Sequence, residues 1–291
     1  LKKEFSDILN SLSSSRHPVR IFSNWLEITA CTLHQLPYQA GDFPKEDPAY
    51  IEMEAKYMEA IQGYEKEELN QMGHMMALTL TAHRIEFCDF LGEIAGENQL
   101  LNQNNGQFFT PSALSQMMAQ MSVQNAAELI EQKGIITIAD PAAGAGATLI
   151  ATAKALYDQG IDPRSCAQFD AVDISRDAFH MCYIQLSLQG LQAMVRHGNS
   201  LTQEMWEHRP TPQLRYFDQD LRRYRAIEAM RQLIKDPTAF TEQVTSEEPT
   251  DPLSRTNEAS TETSNSSTEK QQDFFNSTTF TGANDNASKP R

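Results

Sequence analysis

The chain has 291 residues, a formal net charge of −15 and four scattered cysteines (Cys31, Cys88, Cys166, Cys182) with no C-x-x-C pair. That balance argues against an unaided grip on phosphate backbones and against a disulfide framework. No apolar run approaches the ~18–20 residues of a membrane span, and no signal-peptide pattern opens the chain, so a cytoplasmic protein of one or two domains with reduced thiols is expected.

Residues 1–100 are expected to form a helical N-terminal region. Phe5, Ile8, Leu9 and Leu12 keep a helical spacing, and Ile21, Trp25, Ile28 and Cys31 do so after Pro18. Asp47-Pro48 reads as a cap and a first-turn proline opening a helix through Ile61. A further helix is expected from about 65 to 94. Its methionines, Met72, Met75 and Met76, serve either as core filler or as a groove lining. His74 and His83 lack ligand-spaced partners, so no metal is expected. A polar turn, Asn102-Gln-Asn-Asn-Gly106, leads into Gly106-Gln-Phe-Phe-Thr-Pro111 and a helix through Leu114, Met117, Met118 and Met121. Thr110 suits its cap and Pro111 its first turn, and the Phe-Phe pair reads as a hydrophobic staple or as a ligand contact.

From 135 the pattern becomes strand–helix alternation. Ile135–Ala139 is a β-branched strand, and a helix over about 145–158 follows the glycine-rich turn Asp140-Pro-Ala-Ala-Gly-Ala-Gly146. The second strand runs through 168–174, Ser175 caps the next helix, Gly190 is placed to stop it, and 191–196 is a third short strand. Alternation of this kind implies a parallel sheet with right-handed crossovers. After Leu201 the alternation stops. Residues 206–240 are expected to hold a basic helix over about 213–234. Arg209, Arg215, Arg222, Arg223, Arg225, Arg231 and Lys235 make this region either a solvated face or a DNA-contacting one. The Ser-, Thr- and Asn-rich residues 241–291 are expected to be disordered.

The loop at 140–146 joins a strand end to a helix N-terminus, a geometry that presents backbone N–H groups and a positive dipole end to a ligand. It has neither the G-x-G-x-x-G spacing of dinucleotide folds nor the Gly-Lys-Ser/Thr of a phosphate loop. Asp173, at the end of the second strand, suits either a ribose diol or a helix cap.

Gly-Gln-Phe-Phe-Thr-Pro (106–111), Asp-Pro-Ala-Ala-Gly-Ala-Gly (140–146), Asp-Ile (173–174) and His-Gly-Asn-Ser-Leu (197–201) occur in that order. Together they resemble the adenine-specific DNA methylase family, typified by type I restriction–modification methylase subunits. The match is nearest to the short, mobile-element forms that share a helical stretch before Phe-Phe-Thr-Pro. The resemblance covers roughly residues 85–205 and implies a methyltransferase-like cofactor-binding domain over 101–205. The implied fold is α/β, a partial Rossmann-like S-adenosylmethionine-dependent methyltransferase core with an N-terminal helical region and a disordered C-terminal tail. The implied cofactor is S-adenosyl-L-methionine. Phe108, Phe109 and Thr110 would lie near its methionine end, and Asp140, Ala142, Gly144 and Gly146 would line its loop. Asp173 would hold the ribose, and Asn199, where the family often has Asp, would sit beside the adenine. DNA is the implied partner.

The family's Asn/Asp-Pro-Pro-aromatic tetrapeptide, which orients the amine of a flipped adenine, is absent. No Pro-Pro pair occurs anywhere, and the nearest candidate is Arg209-Pro-Thr-Pro212. Cys166 follows Ser165, so the Pro-Cys nucleophile of a cytosine methylase is missing too. No residue is therefore assigned as catalytic. The resemblance leans toward a site-specific DNA-methyltransferase (adenine-specific) of restriction–modification context, split or catalytically incomplete. The alternatives are a non-enzymatic regulatory or binding module derived from a DNA methylase and, last, a small-molecule methyltransferase. With only three parallel strands legible, the first would lie at an open edge. The N-terminal helices, the 213–234 helix or a partner subunit supplying the missing half-sheet is expected to cover it.

Overall fold

The computed structural model describes residues 1–13, 16–100, 110 and 112–235. The chain divides into a compact unit, Leu1–Asp220, and a second, Leu221–Arg291, of which 221–235 are described. Phe108, Phe109 and the tail from 241 lie outside the described residues.

The N-terminal helices form where their apolar spacing predicts. α1 (Lys2–Leu12) and α2 (Pro18–Gln39) bury Phe5, Leu9, Ile21 and Trp25. Phe5 stands edge-on to Trp25 at 5.0 Å and to Phe90 at 5.8 Å. α3 (Pro48–Ala60) starts at the expected cap, Asp47 accepting from Ala49 N at 2.9 Å. The expected single helix over 65–94 is two, α4 (Lys66–Ile85) and α5 (Phe90–Glu97). Glu86 takes an extended conformation, and Asp89 restarts the helix by accepting from Gly92 N at 3.1 Å. A capping acid in mid-run overrides the apolar period. α6 (Ser112–Ser122) is followed by α7 (Ala126–Lys133), which ends at Gly134 with φ +77°.

The sheet contains β1 (Ile136–Asp140), β2 (Ala167–Asp173), β3 (Gln192–Asn199) and β4 (Glu204–Pro210), in that spatial order. The first three are parallel as expected, connected through α8 (Ala147–Asp158), the short α9 (Pro163–Cys166) and α10 (Arg176–Leu188). β4 is antiparallel to β3, with a bulge at His197/Gly198, and corrects the expectation that strands stop after Leu201. Its sequence, Glu-Met-Trp-Glu-His-Arg-Pro, has no β-branched residue, and its one fully buried side chain is Arg209. The hydrophobic alternation that marks a half-buried strand is therefore missing. α11 (Pro212–Lys235) ends the described chain.

Both crossovers step the same way along the sheet, so right-handedness places α8 and α10 on one face. Ala167, Phe169, Ala171, Ala193 and Val195 point under them and are buried. The opposite face carries polar pairs instead: Asp170 with Arg196, and Gln168 Nε2 donating to Gln192 Oε1 at 3.3 Å. α2, α4 and α5 pack on α10, while β1 is packed by α7 and α8. Among the described residues β1 pairs with β2 alone.

Candidate cofactor site

β1 delivers Asp140 to the carboxyl end of the sheet, where ligands of open α/β folds bind. Its Oδ1 accepts from Ala142 N at 3.0 Å, turning the chain sharply out of the strand. Ala143 N then donates to Val172 O at 3.0 Å and Gly144 N to Asp173 Oδ2 at 2.8 Å, so the loop is sewn to the end of β2. Gly144 has φ +57° and Gly146 φ +95°. At Gly146 an added Cβ would lie 3.2 Å from Cys182 Sγ. This glycine is thus required both by its conformation and by close approach of α10. Gly146 is the N-cap of α8, a helix of 12 residues whose first-turn amides face the loop.

Asp173 uses its second oxygen as well, Oδ1 accepting from Ser175 N at 2.8 Å. A carboxylate offers about four acceptor positions, so two remain open. The helix-cap role belongs to its neighbour: Ser175 Oγ accepts from Ala178 N at 3.4 Å. Asp140, Ala142, Gly144, Gly146 and Asp173 are therefore gathered in one loop cluster. Asn199 stands at the end of β3, two residues beyond His197, which is in register with Asp173. Its Oδ1 accepts from Leu201 N at 2.9 Å and Thr202 N at 3.3 Å, leaving the amide NH₂ as its uncommitted end. Thr110 immediately precedes Pro111 and α6, and α6 packs along α8. Exposed Ile174 lies next to Asp173, and its carbonyl is 3.2 Å from His197 Nε2.

Two residues that sequence reading passed over hold the loop from behind. Gln185 is fully buried in α10; its Nε2 donates to Ala145 O at 2.7 Å and to Asp89 Oδ1 at 2.8 Å, and its Oε1 accepts from Leu91 N at 2.9 Å. Burial raises the Asp89 carboxyl, opposed by its bonds from Gln185 and Gly92 N. The signal was present: an amide inside the otherwise apolar run Met181-Cys-Tyr-Ile-Gln-Leu186 must be hydrogen-bonded.

The segment nearest to a catalytic tetrapeptide is structural. Thr211 is fully buried; its Oγ1 accepts from Ala193 N at 3.0 Å and donates to Leu191 O at 2.8 Å. Arg209 is buried against Glu207 at 2.6 Å and over the rings of Phe179 and Tyr183. Arg215 stacks on Tyr38 and Phe43 and donates to His34 O at 3.1 Å. Two of the arginines read as a surface face are thus packed against the protein's own rings. No thiol is activated: burial pushes Cys31 and Cys88 up to about 11, and raises Cys166 and Cys182 as well. Among the described residues no group of three or more His, Cys, Asp or Glu could hold a metal ion.

Residues 90–219 match the family model described as N-6 DNA Methylase. Neither a curated protein nor a solved structure matches the chain.

Proposed function

With residues 90–219 matched to the N-6 DNA methylase family, we propose that this chain is the S-adenosylmethionine-holding half of a DNA adenine methylase. Its context is DNA modification of the restriction–modification type, and a partner polypeptide completes the sheet. The observation that carries the reading is the bond from Gly144 N to the Asp173 carboxylate. It fixes a glycine-rich turn beside an acid that still has acceptor positions for a ribose diol. Bound there, the cofactor would supply a methyl group on a positively charged sulfur, open to attack by an amine.

The chain's own residues bind and orient. Asp173 accepts from the ribose hydroxyls, and Ala142, Gly144 and Gly146 bring the backbone close to the ligand. Asp140 keeps one carboxylate oxygen facing the loop. Asn199, its oxygen engaged in its own turn, offers its NH₂ to a ring nitrogen of the adenine. The family resemblance assigns Phe108, Phe109 and Thr110 to the methionine end. Among the described residues nothing comparable receives the target base, because Arg209-Pro-Thr-Pro212 is committed to the core. That commitment also favours the second reading, a non-enzymatic module that has kept the cofactor half alone. In the first reading the partner pairs with β1, whose free edge adjoins Asp140. A net charge of −15 makes a basic partner more favourable than a second copy.

Calorimetric titration with S-adenosylmethionine tests the cofactor assignment. Binding on the order of micromolar, lost in Asp140→Ala, is expected; no binding, or no loss in the variant, refutes it. Tritium transfer from the cofactor to unmethylated DNA separates the two readings. No transfer by the purified chain but transfer with its neighbouring gene products supports the split enzyme. Transfer by the chain alone would refute the view that the acceptor half is missing.

A further inference from the structure

We infer that Gln185, with Asp89, is the positioning residue of the cofactor loop: a buried amide that holds the Ala143–Gly146 turn in its binding conformation and ties it to the start of α5. The inference rests on the cofactor reading above for its ligand, but its geometry stands apart from it. The amide makes three hydrogen bonds to two segments distant in sequence, the Ala145 turn and the start of α5, at 2.7–2.9 Å, and is completely shielded from water. The Ala145 carbonyl is the only one of these partners that belongs to the loop. It lies between Gly144 and Gly146, both at positive φ, and adds a tether to α10 beyond those that Ala143 N and Gly144 N make to the end of β2.

Asp89 does two things at once. The same Oδ1 that receives Gln185 Nε2 also caps α5 through Gly92 N. The cap orients the carboxylate, the carboxylate orients the amide, and the amide orients Ala145. The chain thereby couples the turn to the start of α5. The N-terminal helical region is then part of the site rather than a scaffold beside it.

A charge-swapped pair separates positioning from packing. In Asp89→Asn, Gln185 can still donate to the side-chain oxygen at position 89, and Asn is itself a good N-cap. In Asp89→Asn/Gln185→Glu, the amide now at position 89 donates to the carboxylate now at position 185, and Leu91 N still has an acceptor. Ala145 O then faces an acceptor instead of a donor, Gly92 N gives up the oxygen it shared with Gln185, and the net charge of the pair is that of the native chain. The full chain carries each variant. Readouts are thermal unfolding, hydrogen–deuterium exchange of a peptide spanning 140–150, and S-adenosylmethionine affinity by calorimetry.

The single variant is the reference, and because it keeps the bond from Gln185 to Ala145 O it is expected to exchange over 140–150 as the native chain does. The double variant is expected to unfold within a few degrees of it, yet to exchange faster over 140–150 and to bind about tenfold more weakly. Native exchange over 140–150 in the folded double variant would overturn the inference. So would a double variant whose affinity loss merely follows its loss of stability. If the native chain binds no S-adenosylmethionine, the proposed function fails while the exchange comparison still decides the role of Gln185. Should the double variant not fold, Gln185→Met in the Asp89→Asn background replaces it, with the same two outcomes.

Discussion

Three histidines are buried with ring nitrogens that meet no hydrogen-bonding partner among the described residues: both nitrogens of His34 on α2 and of His180 on α10, and Nε2 of His83 on α4. Burial lowers each, His34 to about 3, helped by Arg215 and Arg209, and His83 to about 4. His180 falls well below its ordinary value, with Arg209 and Arg176 adding to burial. A histidine whose folded pKa is depressed contributes stability above its unfolded value of ~6.5, which is lost as pH falls through that value toward the folded one. At about pH 5 the unfolded ring is almost fully protonated and the buried one is not, so each site costs about 2 kcal/mol relative to pH 7. The figure depends on the unfolded pKa, so the depth of the native shift hardly matters. Asp89 and Asp177, raised by burial, work in the opposite direction and soften the total. Urea unfolding at about pH 7, 6 and 5 measures it, with His83→Leu as the perturbation because burial is the one cause of its shift. The variant should nearly match the native chain at pH 7 and exceed it by about 2 kcal/mol at pH 5. Parallel pH curves for the two proteins would show that His83 is not held neutral and would refute the argument.

At the loop, Gly146→Ala must place a side chain at φ +95° with its Cβ 3.2 Å from Cys182 Sγ, for a loss of about 1–3 kcal/mol in chemical unfolding. Adding Cys182→Ala should recover only the contact share, and full recovery would mean the backbone conformation costs nothing. Thr211→Val keeps the shape but removes the bonds to Ala193 N and Leu191 O. A loss of about 1–3 kcal/mol is expected, with S-adenosylmethionine affinity unchanged in the folded fraction. A change in affinity instead would place Arg209-Pro-Thr-Pro212 back at the site.

Where a local chemical signal was unambiguous, the sequence could be read directly. Asp47-Pro48 opens α3, Ser175 caps α10, and Gly190, at φ +75°, follows its end. β1 and β2 show themselves because each alternates toward one covered face. Signals that depend on distant partners stayed silent. β4 exists because the Met194–Asn199 backbone of β3 offers it a register, and no periodicity in Glu204–Pro210 announces that. Arg209 and Arg215 read as surface cations because nothing near them in sequence foretells Phe179, Tyr183, Tyr38 and Phe43 stacking beneath their guanidinium groups. The site divides likewise. The turn at 140–146 and the acid at 173 belong to local patterns, whereas Gln185 acquires its meaning from Ala145, Asp89 and Leu91, all at least 40 residues away.

The sheet itself says where a missing half would attach. A parallel sheet buried on both faces has near-continuous apolar strands, but here the second face carries the Asp170–Arg196 and Gln168–Gln192 pairs. The β3 edge is closed by the β4 hairpin, and β1 is left with one strand neighbour among the described residues. Leu114, Met117, Met118 and Met121 of α6 are exposed, on a helix that packs along α8. Unpaired strand edges and exposed apolar helix faces are surfaces that native proteins normally cover. β1 ends at Asp140, where the loop begins, so a strand laid along its free edge would end beside the same site. The residues proposed to hold the donor lie from β1 toward β3, and the side of β1 away from β2 is the side on which a base acceptor could be added without disturbing them. That separation allows donor binding and base binding to reside on two chains.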